Sequence, residues 1–293
     1  MSNSRRDFLK MSSLSALTFT TPVKNLSSII PDSLFNKKVN AFGIQLWTVR
    51  EAMAANAKDT LKQIAGFGYK QIESFEGKDG MFWGLTHKEF KKYLDDIGTS
   101  IVSSHCDISK NFEQKAAQAA EIGMKYLICP WKGPQKSIDE FKKFADEFNK
   151  CGEICKKNGI RFAYHNHDYS FKTIDGQLPQ TVMMDNTDKN LVDFEMDIYW
   201  VVVAGVNPQE WFKKYKNRFR LCHVKDRMKN PPANAGEGSC IVGTGSIDFP
   251  SILKTAMDNG MQYFIIEQEA FAGTTPLKSA EADAAYMKAL EIK

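Results

Sequence analysis

Beyond about residue 41 the hydrophobic positions repeat one short phrase. An amphipathic stretch with apolar residues three and four apart runs to a glycine, and one or two residues later a short β-rich run begins. LKQIAGFGYKQIESF from Leu61 and ICKKNGIRFAYHNH from Ile154 show it most plainly. Gly68, Gly98, Gly123, Gly159 and Gly260 each stand where a helix would end in the left-handed conformation that glycine tolerates. The phrase predicts strands near Gly43–Trp47, Lys70–Ser74, Ser100–His105, Lys125–Cys129, Ile160–His165, Leu191–Asp197, Arg220–Val224 and Tyr263–Glu267. Strands separated by helices pair in parallel. Eight of them in about 255 residues predict an α/β chain closed into a (β/α)8 TIM barrel. An open doubly wound sheet would place a glycine-rich turn after its first strand, and no G-x-G-x-x-G is found there.

The N-terminal segment breaks the pattern. Ser4-Arg5-Arg6-Asp7-Phe8-Leu9-Lys10 leads into a mildly apolar, serine-rich stretch from Met11 to Pro22, with no clear A-x-A site after it. A basic region before a weak apolar one at the extreme N-terminus resembles a twin-arginine export signal. Residues 1–38 are therefore expected to be export signal and linker, residues 39–293 the catalytic barrel, and the mature protein periplasmic. No run reaches the ~18–20 consecutive apolar residues of a spanning helix, so no membrane partner is expected of the mature form. With 39 basic against 35 acidic side chains, net +4, the chain has no footprint for duplex nucleic acid. Six cysteines without paired CxxC spacing say little about compartment, and nothing in the pattern sets an oligomeric state.

Residues able to do chemistry gather at the predicted C-terminal ends of the strands: Trp47, Glu73, His105, Trp131, His165 with His167, Asp197, His223 with Lys225, and Glu267 with Glu269. In a parallel barrel those ends share the face that carries active sites. Of the five histidines only His87, at a helix start after Thr86, lies elsewhere. Residues two apart on a strand point the same way, which pairs His165 with His167, Glu195 with Asp197, His223 with Lys225 and Glu267 with Glu269. Carboxylates crowded at the mouth of an apolar barrel repel one another unless a proton or a cation offsets them. One divalent metal ion is the simplest offset, and mixed imidazole and carboxylate ligands suit Mn, Co, Fe or Zn better than Ca. Glu195 and Glu269 also have a plainer reading, as salt-bridge partners of Lys225 or Arg220 that tie the barrel rim together.

YHNHD from Tyr164, FEMDIYW from Phe194, CHVKD from Cys222, GTGSIDF from Gly243 and IIEQE from Ile265 occur in an order and spacing that resemble the xylose-isomerase-like sugar phosphate isomerase/epimerase superfamily. The resemblance runs from FGIQLWTVRE at Phe42 to about residue 290. It implies one divalent metal held at the ends of strands five to eight, here by His165, Asp197, His223 and Glu267. His165 stands where the superfamily usually has a Glu, and Trp200 where many members have a His three residues after the Asp. The activity implied is a metal-dependent sugar isomerase or epimerase, moving a proton next to a carbonyl through a metal-stabilised enediolate.

With an imidazole in place of one carboxylate, a single base, His167 or Glu269, is left for the proton. His167 is preferred because it needs no pKa shift, and Lys225 completes the catalytic candidates. The alternatives are a 3-keto-glycoside lyase or hydrolase of the same fold, or a non-catalytic sugar-binding barrel. The superfamily's three-zinc DNA-repair endonuclease needs histidines that Trp200 and Asp226 do not supply. The expected partner is a small-molecule carbohydrate contacted by Trp47, Glu73, His105, Trp131 and Trp200, since aromatic faces pack on sugar rings. The glycine-rich segment Asp226–Asp248 is long enough to fold over the mouth as a lid. Lys225 and Arg227 are available to a phosphate, although an exported enzyme would meet unphosphorylated sugar.

Overall fold

The computed structural model describes residue 39 and residues 41–292, so the expected export signal and the boundary at residue 38 lie outside the described residues. The eight expected strands form within two residues of their expected limits: β1 (Gly43–Gln45), β2 (Gln71–Phe75), β3 (Ser100–His105), β4 (Tyr126–Cys129), β5 (Arg161–His165), β6 (Val192–Asp197), β7 (Phe219–Val224) and, last in the chain, β10 (Tyr263–Ile266). They close into a parallel ring in the order β1-β10-β7-β6-β5-β4-β3-β2. Two short strands, β8 (Asp226–Arg227) and β9 (Ser239–Cys240), pair antiparallel in the loop after β7.

Helices α1 (Arg50–Phe67), α2 (His87–Asp96), α3 (Phe112–Glu121), α4 (Ile138–Lys157), α5 (Pro179–Asp185), α6 (Ile198–Val203), α7 (Pro208–Lys214), α8 (Phe249–Asp258) and α9 (Pro276–Ala289) fill the connections. The five glycines singled out in the sequence have φ between 73° and 106°, the left-handed helix ends expected of them. α1 is broken at Asn56, whose non-helical backbone lets its side chain cap the N–H of Asp59. His87 opens α2 behind Thr86, which forms a reciprocal capping box with Glu89. α4 buries Phe141, Ala145, Phe148 and Cys155 at helical spacing and packs on β5. A Cβ on its Gly152 would lie 2.8 Å from the Leu191 carbonyl oxygen, so only glycine permits that approach.

The apolar core lies between the strands and the helices, where the outward side chains of β6, Phe194 and Met196, are fully buried. An apolar interior was the expectation for the barrel itself, and the structure corrects it. Tyr126, Ile128, Ala163 and Leu221 make only a small apolar cluster there. Asp193, Glu195 and Asp197 alternate inward along β6 at three successive levels, all buried. The strand register sets His165 beside Glu195, His223 beside Asp197, and Glu73 between Gln45 and Ser103.

Candidate metal centre and active site

At the top of the barrel Asp197 is held from two directions. Asn166, immediately after β5, accepts the Asp197 backbone N–H and donates to the Asp197 carbonyl, while Asp197 Oδ1 caps α6 at the Trp200 N–H. The second carboxylate oxygen, Asp197 Oδ2, is buried with no hydrogen-bond partner. That oxygen lies 3.8 Å from His165 Nε2 and 3.8 Å from His223 Nδ1, and His223 Nδ1 is 3.2 Å from Glu267 Oε2. Donors around one ion at about 2.1 Å stand roughly 3.4 Å apart in a tetrahedral site. The 3.2 Å and 3.8 Å separations bracket that value, but His165, the fourth expected ligand, is near Asp197 without belonging to the set whose ligand atoms all lie close together. Asp197, His223 and Glu267 offer ligand atoms all within 4.8 Å of one another. An orphaned carboxylate oxygen facing two imidazole nitrogens and a second carboxylate fits a divalent cation of the zinc or manganese type.

Lys225 enters the same site from the side. Its Nζ donates to Glu267 Oε2 at 3.1 Å and to Glu269, lies 3.7 Å from Asp197 Oδ2, and is almost wholly buried. The rings of Tyr199 and Trp200 flank it, each centred 5.2 Å away. Despite burial, Glu267 and then Asp197 and Glu269 hold the Lys225 ammonium well above its usual pKa. Burial opposes ionisation of Glu267 too, but Lys225 and His223 hold that carboxyl below the usual range, whereas at Glu269 burial wins and the pKa is raised. Glu269 therefore does pair with Lys225, as one sequence reading had it, but inside the site and not as a rim strut.

Below this lies a second polar layer. Glu73 Oε1 takes hydrogen bonds from Gln45 Nε2 at 2.9 Å and from His223 Nε2 at 2.7 Å, and its Oε2 takes one from Ser103 Oγ at 2.6 Å. Glu195 Oε2 meets His105 Nε2 at 2.8 Å and His165 Nδ1 at 3.0 Å, while its Oε1 is buried without a partner. Burial, and next the charge of Glu73, push Glu195 up to about 7. Two sequence readings are corrected here. Glu195 binds neither Lys225 nor Arg220. Glu73 is wholly buried in mid-strand, so it supports His223 and cannot touch a substrate.

A cavity of about 340 Å³ opens over these layers. His105, His165, His167, Glu267 and Glu269 line it together with the aromatic rings of Trp47, Phe75 and Trp131. Trp47 and Trp131 are exposed by 40% and 53%. His167 is wedged among Trp131, Tyr169 and Trp200 with Nδ1 unpartnered, and burial lowers its pKa to about 4. Trp200 is half-buried against His167 and is not among the residues that line the cavity. Trp83 packs on Phe75 and donates to Ser74, a loop-packing role.

The sequence reading missed Glu76 and Asp107, which also line the cavity. Each follows a strand end by one or two residues, and that was the available signal. Glu76 accepts from the Asp107 N–H and from Lys115 Nζ. The lid expectation is corrected as well: no residue of 226–248 lines the cavity. Asp226 pins that loop instead by accepting the N–H groups of Arg227, Gly243, Gly245 and Ile247. Gly245 has to be glycine, since a Cβ there would lie 2.3 Å from the Arg227 carbonyl oxygen.

Known proteins resemble this chain to different depths. A 164-residue stretch is 30% identical to inosose dehydratase of Clostridium perfringens, covering 51% of this chain and 54% of that protein. The chain thus spans about half the length of the curated relatives it matches. A crystal structure of a sugar phosphate isomerase/epimerase from Parabacteroides distasonis superposes with a TM-score of 0.74 at 30% identity, over 89% of this chain and 97% of that one. The IolI protein, solved with a zinc atom, shares the fold at a TM-score of 0.69 and 16% identity, over 84% of this chain and 96% of that one. The family profile described as xylose isomerase-like TIM barrel matches residues 61–290, and the chain belongs to that family.

Proposed function

We propose that this enzyme is a metal-dependent lyase that removes a proton next to the carbonyl of a keto-sugar or keto-cyclitol and expels the oxygen substituent one carbon further on. The observation that carries the reading is the orphaned Asp197 Oδ2, facing His165 Nε2 and His223 Nδ1 directly beside the Lys225–Glu269 pair. His165, Asp197, His223 and Glu267 would hold the ion. A divalent cation there supplies Lewis-acid polarisation of a carbonyl oxygen.

The chain's own groups supply the rest. Glu269, facing the cavity with its pKa raised by burial, is a better base near neutrality than His167, which burial drives down to about 4. This reverses the preference drawn from sequence. Glu269 takes the α-proton and returns it to the departing hydroxyl or alcohol, while the buried Lys225 ammonium, donating to Glu267 and Glu269, offsets the charge of both carboxylates. His167, neutral above that pKa, orients a substrate hydroxyl. Trp47 and Trp131 hold the apolar face of the ring and shield it from water. The inosose dehydratases among the relatives support elimination, and His165 in place of a second carboxylate base disfavours two-base epimerisation.

The test is to give the zinc- or manganese-loaded protein a keto-inositol and a 3-keto-glucoside in deuterium oxide, following both by proton NMR. Elimination with loss of the α-hydrogen is expected. Exchange of that hydrogen with rearrangement and no elimination would return the enzyme to the isomerase and epimerase class. No turnover, with no stoichiometric metal, would leave a sugar-binding barrel. Export belongs to the same proposal: changing Arg5 and Arg6 to Lys should retain the protein in the cytoplasm, and an unchanged cell fractionation would refute it.

A further inference from the structure

We propose that Glu195 and Glu73, set below the metal centre, are positioning residues that decide which ring nitrogen His165 and His223 turn toward the mouth of the barrel. This rests on the metal reading above. An imidazole ligand coordinates through one nitrogen while the other carries the proton, and the partner of that second nitrogen fixes the choice. His165 Nδ1 is 3.0 Å from Glu195 Oε2, which leaves Nε2 facing Asp197. His223 is turned the other way round: its Nε2 is 2.7 Å from Glu73 Oε1, which leaves Nδ1 facing Asp197 and Glu267. An ionised carboxylate only accepts, and Glu73 Oε1 and Glu195 Oε2 each also face a second nitrogen, on Gln45 and His105, so each calls for N–H on the imidazole nitrogen it faces.

The two carboxylates cannot swing away. Gln45 and Ser103, on the strands either side of β2, hold both oxygens of Glu73. His105 holds the same Glu195 oxygen that His165 uses. The asymmetry follows from position. Glu195 is the register neighbour of His165 on the adjacent strand, whereas Glu73 reaches His223 across the barrel from β2 to β7.

The same imidazoles could instead serve an ion placed deeper, because His105, His165, Glu195 and His223 also bring ligand atoms within 4.8 Å of one another. That site would use His165 Nδ1 and His223 Nε2, so the identity of the coordinating nitrogens separates the two. In the upper site Asp197 Oδ2 gains the partner it lacks; in the lower one it does not.

Loading nitrogen-15-labelled protein with cadmium-113 reads the choice through metal–nitrogen couplings. Couplings to His165 Nε2 and His223 Nδ1 are expected. Couplings to the opposite nitrogens, or to His105, would overturn the proposal. Glu195→Gln and Glu73→Gln keep shape and remove charge; each should weaken zinc and cadmium binding in chelator competition by about 10- to 100-fold, the usual scale for such partners. Unchanged affinity in both variants would overturn it too. The metal reading fails differently, by a wild-type protein that takes up no cadmium. In that event the imidazole nitrogen shifts of the metal-free protein still decide the matter. His165 should carry its proton on Nδ1 and lose that preference in Glu195→Gln, and a proton on Nε2 in the wild type would refute the proposal.

Discussion

Asp193 and Asp197 point into the barrel from the same strand, four residues apart and both buried, and their surroundings differ in kind. Asp193, near the N-terminal end of β6, accepts from the Tyr126 hydroxyl at 2.9 Å and from the Arg161 guanidinium. Arg161 is tied in turn to the carbonyls of Lys189 and Asn190. Asp197, at the other end, has one oxygen on a backbone N–H and the other on nothing. Glu195 between them is intermediate, with one oxygen shared by two imidazoles and one bare. Buried carboxylates normally find partners, because leaving one unpaired costs about 1–3 kcal/mol or more. Asp193 and Glu195 each hold two partners on one oxygen and Asp197 holds one, while the orphaned buried oxygens belong to Glu195 and Asp197. The end tied to Tyr126 and Arg161 belongs to the scaffold and the end with the orphaned oxygens to chemistry.

The comparison breaks most directly at Asp197. Asp197→Asn keeps the α6 cap but should abolish stoichiometric metal binding and lower turnover by about a thousandfold or more, the equivalent of the several kcal/mol a Lewis acid supplies. Metal analysis and steady-state kinetics check it, and full metal occupancy would move the centre elsewhere. Next in size is the proton-transfer pair. Glu269→Gln should keep the metal and cost about a hundredfold or more in kcat, as for loss of a general base. His167→Ala should act mainly on KM. A collapse of kcat in His167→Ala, with Glu269→Gln near wild type, would restore the base that the sequence alone favoured.

Asp193→Asn tests the other end. Losing charge-assisted bonds from Tyr126 and Arg161 should cost about 2 kcal/mol of stability. Urea titration should show that loss while metal content and kcat stay at wild-type values. If Asp193→Asn lost metal, the separation between scaffold and site would fail.

The sequence carried the ring of strands because a helix, a glycine and a β-run recur with local signals at every step, and local signals survive without a structure. It also placed His165, Asp197, His223 and Glu267 within one residue of a strand end, where the structure has them. It could not rank the layers. The sequence ends the second strand at Ser74 and so puts Glu73 at the substrate; β2 runs to Phe75, and Gln45 and Ser103 flank Glu73 in register. The sequence offers Lys225 or Arg220 as a rim partner for Glu195, but Glu195 is taken by His105 and His165, residues 90 and 30 positions away in the chain. Such partnerships are set by barrel closure, which no window of sequence contains.

Asp283 on α9 asks whether a bare carboxylate oxygen is enough to mark a site. Its Oδ1 accepts from the Val242 N–H at 2.7 Å, and its Oδ2 is buried without a partner, much as in Glu195. No cluster of candidate metal ligands among the described residues includes it. Burial pushes its pKa up to about 7, so the folded protein holds a proton that the unfolded chain gives up near pH 4. The stability that goes with that proton is complete below about pH 4 and is lost as the pH rises through 7. The neutral amide introduced by Asp283→Asn would imitate the protonated acid at every pH. Wild type should therefore lose roughly 1 kcal/mol relative to Asp283→Asn between pH 5 and pH 6, close to the ~1.4 kcal/mol per unit that one proton sets as a ceiling. Metal binding and turnover should be untouched. Parallel stability curves over that interval would mean that Asp283 is ionised in the folded protein. An unpaired carboxylate oxygen away from any ligand cluster would then carry no measurable cost, and the orphaned oxygen of Asp197 would lose its standing as a signpost. A divergence of the expected sign would leave Asp283 as a plain cost of burial, and the convergence of His165, His223 and Glu267 as what sets Asp197 apart.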